Sequence, residues 1–150
     1  MRIKKLHHLN ILSTKMEETV RFYVDVLGMT TAKVPTPPGM SEGMVAWICD
    51  EAGNAVIHLG GIDEKNAAEL MGMGYLHRRP AVEPKDFPTL TGGGAVDHIA
   101  FECEDYDAFL ERIKASGTLV SERNLEWAKF RQIFARDPNG IIVELNFWGK

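Results

Sequence analysis

Two short stretches of this chain repeat one another, and the repeat limits its architecture more than any other feature. Leu6-His7-His8-Leu9-Asn10-Ile11 and Val96-Asp97-His98-Ile99-Ala100-Phe101 each read as a strand, and each is followed by one amphipathic helix that stops at a glycine, Gly28 or Gly117. Three further strand-like runs follow each helix. Self-similarity on this scale signals duplication of a supersecondary unit. The predicted fold class is α+β: two tandem βαβββ modules forming a curved, open, barrel-like mixed sheet with the helices outside.

In the first copy, residues 5–12 alternate, so Leu6, His8, Asn10 and Leu12 share one face and His7, Leu9 and Ile11 the other. Ser13-Thr14 offers an N-cap with Glu17 completing a capping box, and Met16, Val20, Tyr23, Val24 and Leu27 form an apolar helical stripe. Strands are expected at residues 29–34, 44–49 and 55–59, with a rigid loop at Pro35-Thr36-Pro37-Pro38-Gly39 and a turn at Asp50-Glu51-Ala52-Gly53-Asn54. In the second copy, a strand at residues 95–102 leads to a helix capped by Asp105, with Tyr106, Phe109, Leu110 and Ile113 as its stripe. Strands at residues 119–123, 130–136 and 141–147 follow, the last two joined by Asp137-Pro138-Asn139-Gly140. The chain is thus expected to be one domain, residues 1–150, with modules at about residues 4–60 and 95–148. The long connection, residues 61–94, carries a possible short helix at 64–71 and the polar group Tyr75, His77, Arg78 and Arg79, which reads as a solvated loop or as a contact for an anionic substrate.

Composition supports a compact domain, with 45% hydrophobic and 25% charged residues in 150. A net charge of -4 without any basic run argues against nucleic acid as a partner. Nothing in the sequence is apolar for long enough to span a bilayer, and Met1-Arg2-Ile3-Lys4-Lys5 leads into a strand rather than a signal core, so a cytoplasmic protein is expected. Cys49 and Cys103 lie inside apolar strand runs and suit small buried hydrophobes.

Superposing the halves pairs His8 with His98 on the first strand and His58 with Glu144 on the fourth, with one residue of difference in the preceding turn. A single strand histidine is most simply a hydrogen-bonded structural residue. Four ligand-type residues at equivalent positions are harder to explain that way. Glu144 lies among Ile141, Ile142, Val143, Leu145 and Phe147, where a carboxylate is costly to bury without a cation or strong donor, and His58 sits between Ile57 and Leu59. A divalent metal held by His8, His98, Glu144 and His58 answers both problems.

The paired modules resemble the vicinal oxygen chelate superfamily, which includes glyoxalase I, methylmalonyl-CoA epimerase, extradiol dioxygenases and bleomycin-binding proteins. The resemblance rests on His8-Leu9-Asn10-Ile11, Arg21-Phe22-Tyr23, Leu27-Gly28, His98-Ile99-Ala100-Phe101, and Arg136-Asp137-Pro138-Asn139-Gly140 through Val143-Glu144-Leu145. It implies a divalent metal (Fe2+, Mn2+, Ni2+, Co2+ or Zn2+) on His8, His98 and Glu144, and a small-molecule substrate that chelates through adjacent oxygens. A homodimer is also implied. His58 discriminates among reactions. Its position is usually a glutamate ligand and base in glyoxalases, an amide ligand in the epimerase, and a non-ligand acid-base histidine in extradiol enzymes. Phe134 stands where the extradiol pattern has a tyrosine, so in that chemistry a substrate hydrogen bond falls to Tyr75, His77 or Gln132. Three functions therefore stay open: extradiol ring cleavage, a glyoxalase- or epimerase-like lyase or isomerase with His58 as base or ligand, and a metal-free binding protein whose cleft uses Trp47, Trp127 and Trp148.

Overall fold

The computed structural model describes residue 2 and residues 5–34, 42–62, 92–93 and 96–149. The proline loop at 35–39, the possible helix at 64–71 and Tyr75, His77, Arg78 and Arg79 lie outside the described residues. The chain divides into two compact units, Met1–Val24 with Gly28–Leu90, and Asp25–Leu27 with Thr91–Lys150.

The first unit contains β1 (Leu9–Ser13), α1 (Met16–Arg21), the start of a π-helical turn (Phe22–Val26) whose Asp25 and Val26 belong to the second, β2 (Thr30–Ala32), β3 (Val45–Cys49) and β4 (Ala55–Gly61). The second contains β5 (His98–Glu102), α2 (Tyr106–Ser116), β6 (Leu119–Leu125), a 3-10 turn (Glu126–Ala128), β7 (Phe130–Arg136) and β8 (Ile142–Trp148). Each unit has an open four-stranded sheet, in the order β1-β4-β3-β2 and β5-β8-β7-β6. The first strand runs parallel to the fourth and the remaining pairs are antiparallel. Neither sheet closes into a barrel, and the βαβββ order is the one expected.

The duplication extends to register. Asn10 and Trp47 flank His58, as Ala100 and Phe134 flank Glu144. The shift in register at Ile48/Cys49 on β3 has no counterpart between β7 and β8, and it accounts for the one-residue difference between the halves.

The turn before β8 sets that register. The Asp137 carboxylate accepts from the backbone N–H of Asn139 at 2.9 Å and of Ile141 at 2.8 Å, while Gly140, at φ 82°, donates to the Asp137 carbonyl at 3.0 Å. Glycine meets the positive φ at no steric cost. In the second unit Val143, Leu145, Phe147, Ile133 and Ala135 are buried, and Phe147 meets the rings of Tyr106 and Phe109 on α2. The opposite face of β8 carries Ile142, Glu144 and Asn146, by strand parity.

The starts of both helices differ from expectation. The capping box at Ser13, Thr14 and Glu17 does not form. Ser13 is still in β1 and 2% exposed, so its hydroxyl turns inward to accept from the Lys15 N–H at 2.9 Å and to bond Thr19 Oγ1 at 3.1 Å. Lys15 takes the N-cap position without a side-chain capping bond, and Glu17 pairs instead with Arg21 at 3.9 Å. The buried side chains are Thr19, Phe22, Tyr23 and Leu27, whereas Met16, Val20 and Val24 are half-buried. The π-helical turn changes the spacing from which that stripe was read. Asp105 does precede α2, but in the left-handed conformation and without a capping bond.

Candidate functional site

His7 and His8 precede β1, which starts at Leu9, so strand parity does not separate them. Their Nδ1 atoms are 2.8 Å apart. The exposed His8 ring stacks on His58 with 3.9 Å between centroids and 11° between planes, and Trp47 stacks on His58 at 4.6 Å and 12°. His58 is half-buried in this column. Burial first, and then the neighbouring His8 and His7, push its pKa below the ordinary imidazole value. Trp47 is on this face because β3 pairs it directly with His58.

In the second unit, His98 begins β5, and its Nε2 lies 3.1 Å from Glu144 Oε2. Two donors about 2.0–2.2 Å from one ion stand roughly 3 Å apart, so this spacing is compatible with two ligands on a shared cation as well as with a direct hydrogen bond. The other ring nitrogen, Nδ1, meets Asp97 Oδ2 at 2.8 Å. A neutral imidazole carries a single N–H. If Nδ1–H is given to Asp97, the Nε2 lone pair faces the Glu144 carboxylate, and a proton or a metal ion between them removes the conflict. The donor chemistry therefore fits a divalent metal.

Glu144 is only 8% exposed. Gln132 Nε2 donates to Glu144 Oε1 at 2.8 Å and to Asn146 Oδ1 at 3.1 Å, leaving Glu144 Oε2 directed at His98. The Gln132 amide nitrogen is thus engaged with the protein. Phe134 lies edge-to-face to His98 at 6.3 Å between centroids. Its phenyl ring provides no hydroxyl.

The structure brings the four expected residues together as two pairs, His8 with His58 and His98 with Glu144, one in each unit. Among the described residues, no group of three or more His, Cys, Asp or Glu side chains is arranged to hold a metal ion. Sequence reasoning missed the roles of Asp97, Gln132 and Trp47 beside these pairs. Asp97 was findable as the neighbour of His98, but Gln132 and Trp47 required the strand register. Trp127 and Trp148, offered for an apolar cleft, are 87% and 61% exposed, with Trp148 stacked on Phe130 at 4.0 Å.

The family model described as the glyoxalase/bleomycin resistance protein/dioxygenase superfamily matches residues 5–145. Glyoxylase I 4 of Arabidopsis thaliana is 26% identical over 151 residues, covering 97% of this chain and 71% of that protein. Two solved structures share the fold. A glyoxalase/dioxygenase from Nostoc punctiforme has a TM-score of 0.67 at 19% identity, with 98% of this chain and 92% of that one covered. The fosfomycin resistance protein FosX from Listeria monocytogenes has a TM-score of 0.63 at 17% identity, with coverage of 99% and 96%. No helix among the described residues is long and apolar enough to cross a membrane.

Proposed function

The chain belongs to the glyoxalase/bleomycin resistance protein/dioxygenase superfamily, and on that premise we propose that it is a metal-dependent enzyme that moves a proton on a small substrate with two adjacent oxygens. His8, His98 and Glu144 are its metal ligands in this reading, and His58 is its base. A bound divalent ion would supply Lewis acidity, stabilising negative charge on the substrate oxygens. The observation that carries the reading is the 3.1 Å approach of His98 Nε2 to the buried Glu144 carboxylate.

Phe134 and Gln132, beside the pair, count against ring cleavage, and the setting of His58 within its own unit suits a base. Phe134 has no hydroxyl to give a substrate, and Gln132 already donates to Glu144 and Asn146. His58 is held by stacking on both ring faces, which leaves its edge and nitrogens to meet a ligand. An imidazole so placed suits removal of a proton next to a carbonyl. Asp97 and Gln132 fix the orientation of His98 and Glu144 from behind.

The test is metal titration by calorimetry of the wild type, His98→Ala and Glu144→Ala, followed by incubation of the loaded wild type with 2-oxoaldehyde thiol adducts, 2-methyl-branched acyl thioesters and catechols. The reading expects one metal site that both variants lose, and substrate proton exchange without oxygen uptake. Oxygen uptake confined to catechols would replace proton transfer by ring cleavage. A wild type that binds no divalent ion would refute the enzyme reading.

A further inference from the structure

A pocket of about 370 Å3 opens on the second unit, lined by Val120, Ser121, Arg123, Phe134, Arg136 and Ile142. Its volume is within the range of about 300–1,000 Å3 typical of small-molecule sites. The strand register explains why these side chains meet. Ser121 is opposite Phe134, Arg123 opposite Gln132, and Arg136 opposite Ile142, while Phe134 is also opposite Glu144. Directly opposed residues share a face of the sheet, so both arginines lie on the face that carries Glu144. Phe134 and Ile142 are common to both places: Phe134 touches the His98 ring, and Ile142 is the register partner of His98.

The charges of this face are unbalanced. Among the described residues the Arg123 guanidinium has no hydrogen bond or ion pair, and the Arg136 guanidinium donates only to the Gly140 carbonyl, at 3.4 Å. Carboxylates on neighbouring elements are engaged elsewhere. Glu122 receives Tyr106 Oη at 2.9 Å and Lys114 at 3.2 Å, and Glu144 is held by Gln132 and His98. Arg131, of opposite parity on β7, is satisfied by Asp107 at 3.4 Å and by the Tyr106 ring at 3.9 Å. Two uncommitted guanidiniums over an apolar wall, in a chain of net charge -4, are an arrangement for binding an anion.

We propose that Arg123 and Arg136, with Phe134 and Ile142, form a subsite for a carboxylate on a small substrate with an apolar or aromatic body. The assignment rests on the reading of His98 and Glu144 as the reacting centre, beside which this subsite would set substrate orientation. Carboxylate is favoured because the planar guanidinium fork matches its two oxygens and the rest of the lining is largely apolar.

The experiment is calorimetric titration of chelator-treated, metal-free protein with benzoate, benzamide and inorganic phosphate. Benzoate is expected to bind roughly tenfold more tightly than benzamide, in keeping with charge-assisted hydrogen bonds. That preference should disappear in the Arg123→Met/Arg136→Met double variant and persist in Arg131→Met, whose side chain is on the other face. Equal binding of benzoate and benzamide, a preference that survives the double substitution, or phosphate binding tighter than benzoate would each overturn the assignment. The titration contains no metal, so its failure is separate from failure of the catalytic reading, which is judged by the loss of metal binding in His98→Ala.

Discussion

Gln132 and Glu144 are joined side chain to side chain, the amide Nε2 donating to Oε1 at 2.8 Å across the β7–β8 pair. The bond engages one carboxylate oxygen and leaves the other, Oε2, 3.1 Å from His98 Nε2. Gln132→Leu removes the donor while keeping a side chain of similar size. Glu144 then loses a buried partner, a change costing about 1–3 kcal/mol in stability. The carboxylate also loses its fixed orientation, so divalent-metal affinity is expected to fall by about 10- to 100-fold. Thermal unfolding and metal calorimetry read the two effects separately. Unchanged metal affinity would mean that Gln132 serves the fold alone.

Asp97 acts on the other side of the same ring, accepting from His98 Nδ1 at 2.8 Å. Its carboxylate is 93% exposed, so removing it should cost the fold little. In Asp97→Ala the imidazole is free to change tautomer and to rotate, and metal affinity should drop by about 10-fold or more while the melting temperature stays near that of the wild type. An equal fall in both would place Asp97 in the fold and not behind a ligand.

Cys103 lies beyond the end of β5, its sulfur 3.8 Å from the Phe101 carbonyl. Burial pushes its thiol from 9.0 up to about 11, with the Glu102 charge adding in the same direction. A folded-state pKa raised above the unfolded value contributes stability that is complete below pH 9 and is lost as pH rises toward 11. In a Cys49→Ala background, the rate of alkylation by iodoacetamide should therefore rise with a midpoint near pH 11, and the stability gap to Cys103→Ala should narrow over the same window. A midpoint near 9 would contradict this account.

The repeat was legible because strand parity, helix stops and turn chemistry are local. Asp137 and Gly140 alone announce the hairpin that places Glu144 opposite Phe134. What the sequence hid was set by cross-strand register. Gln132 is two residues from Phe134, but its bonds to Glu144 and Asn146 depend on how β7 slides along β8. The capping box failed because Ser13 remains in β1, where burial of its hydroxyl beside Thr19 outweighs the capping pattern. The duplication matched His8 with His98 and His58 with Glu144 as equivalent positions, whereas their meeting as His8 with His58 and His98 with Glu144 comes from the parallel pairing of the first and fourth strands in each unit. The column of Trp47, His58 and His8 required the register shift at Ile48/Cys49, which leaves no signature in residue types.

His58 separates a base from a ligand most sharply. In His58→Phe an aromatic ring still fills the space between His8 and Trp47, so stacking worth about 0.5–1.5 kcal/mol per pair is largely kept. Both ring nitrogens are lost. If His58 moves the proton, turnover should fall by about 100- to 10,000-fold, and metal affinity, measured by calorimetry on the same preparation, should stay within about twofold of the wild type, a shift of less than 0.5 kcal/mol. If His58 is instead a fourth ligand, metal affinity must fall together with turnover, because no phenyl atom can replace the nitrogen donor. His58→Gln sharpens the distinction, since an amide oxygen can coordinate a metal but cannot act as a base near neutral pH. Metal binding restored in His58→Gln but absent in His58→Phe would assign His58 to the ligand set. Metal binding intact in both, with turnover lost in both, would assign it to proton transfer.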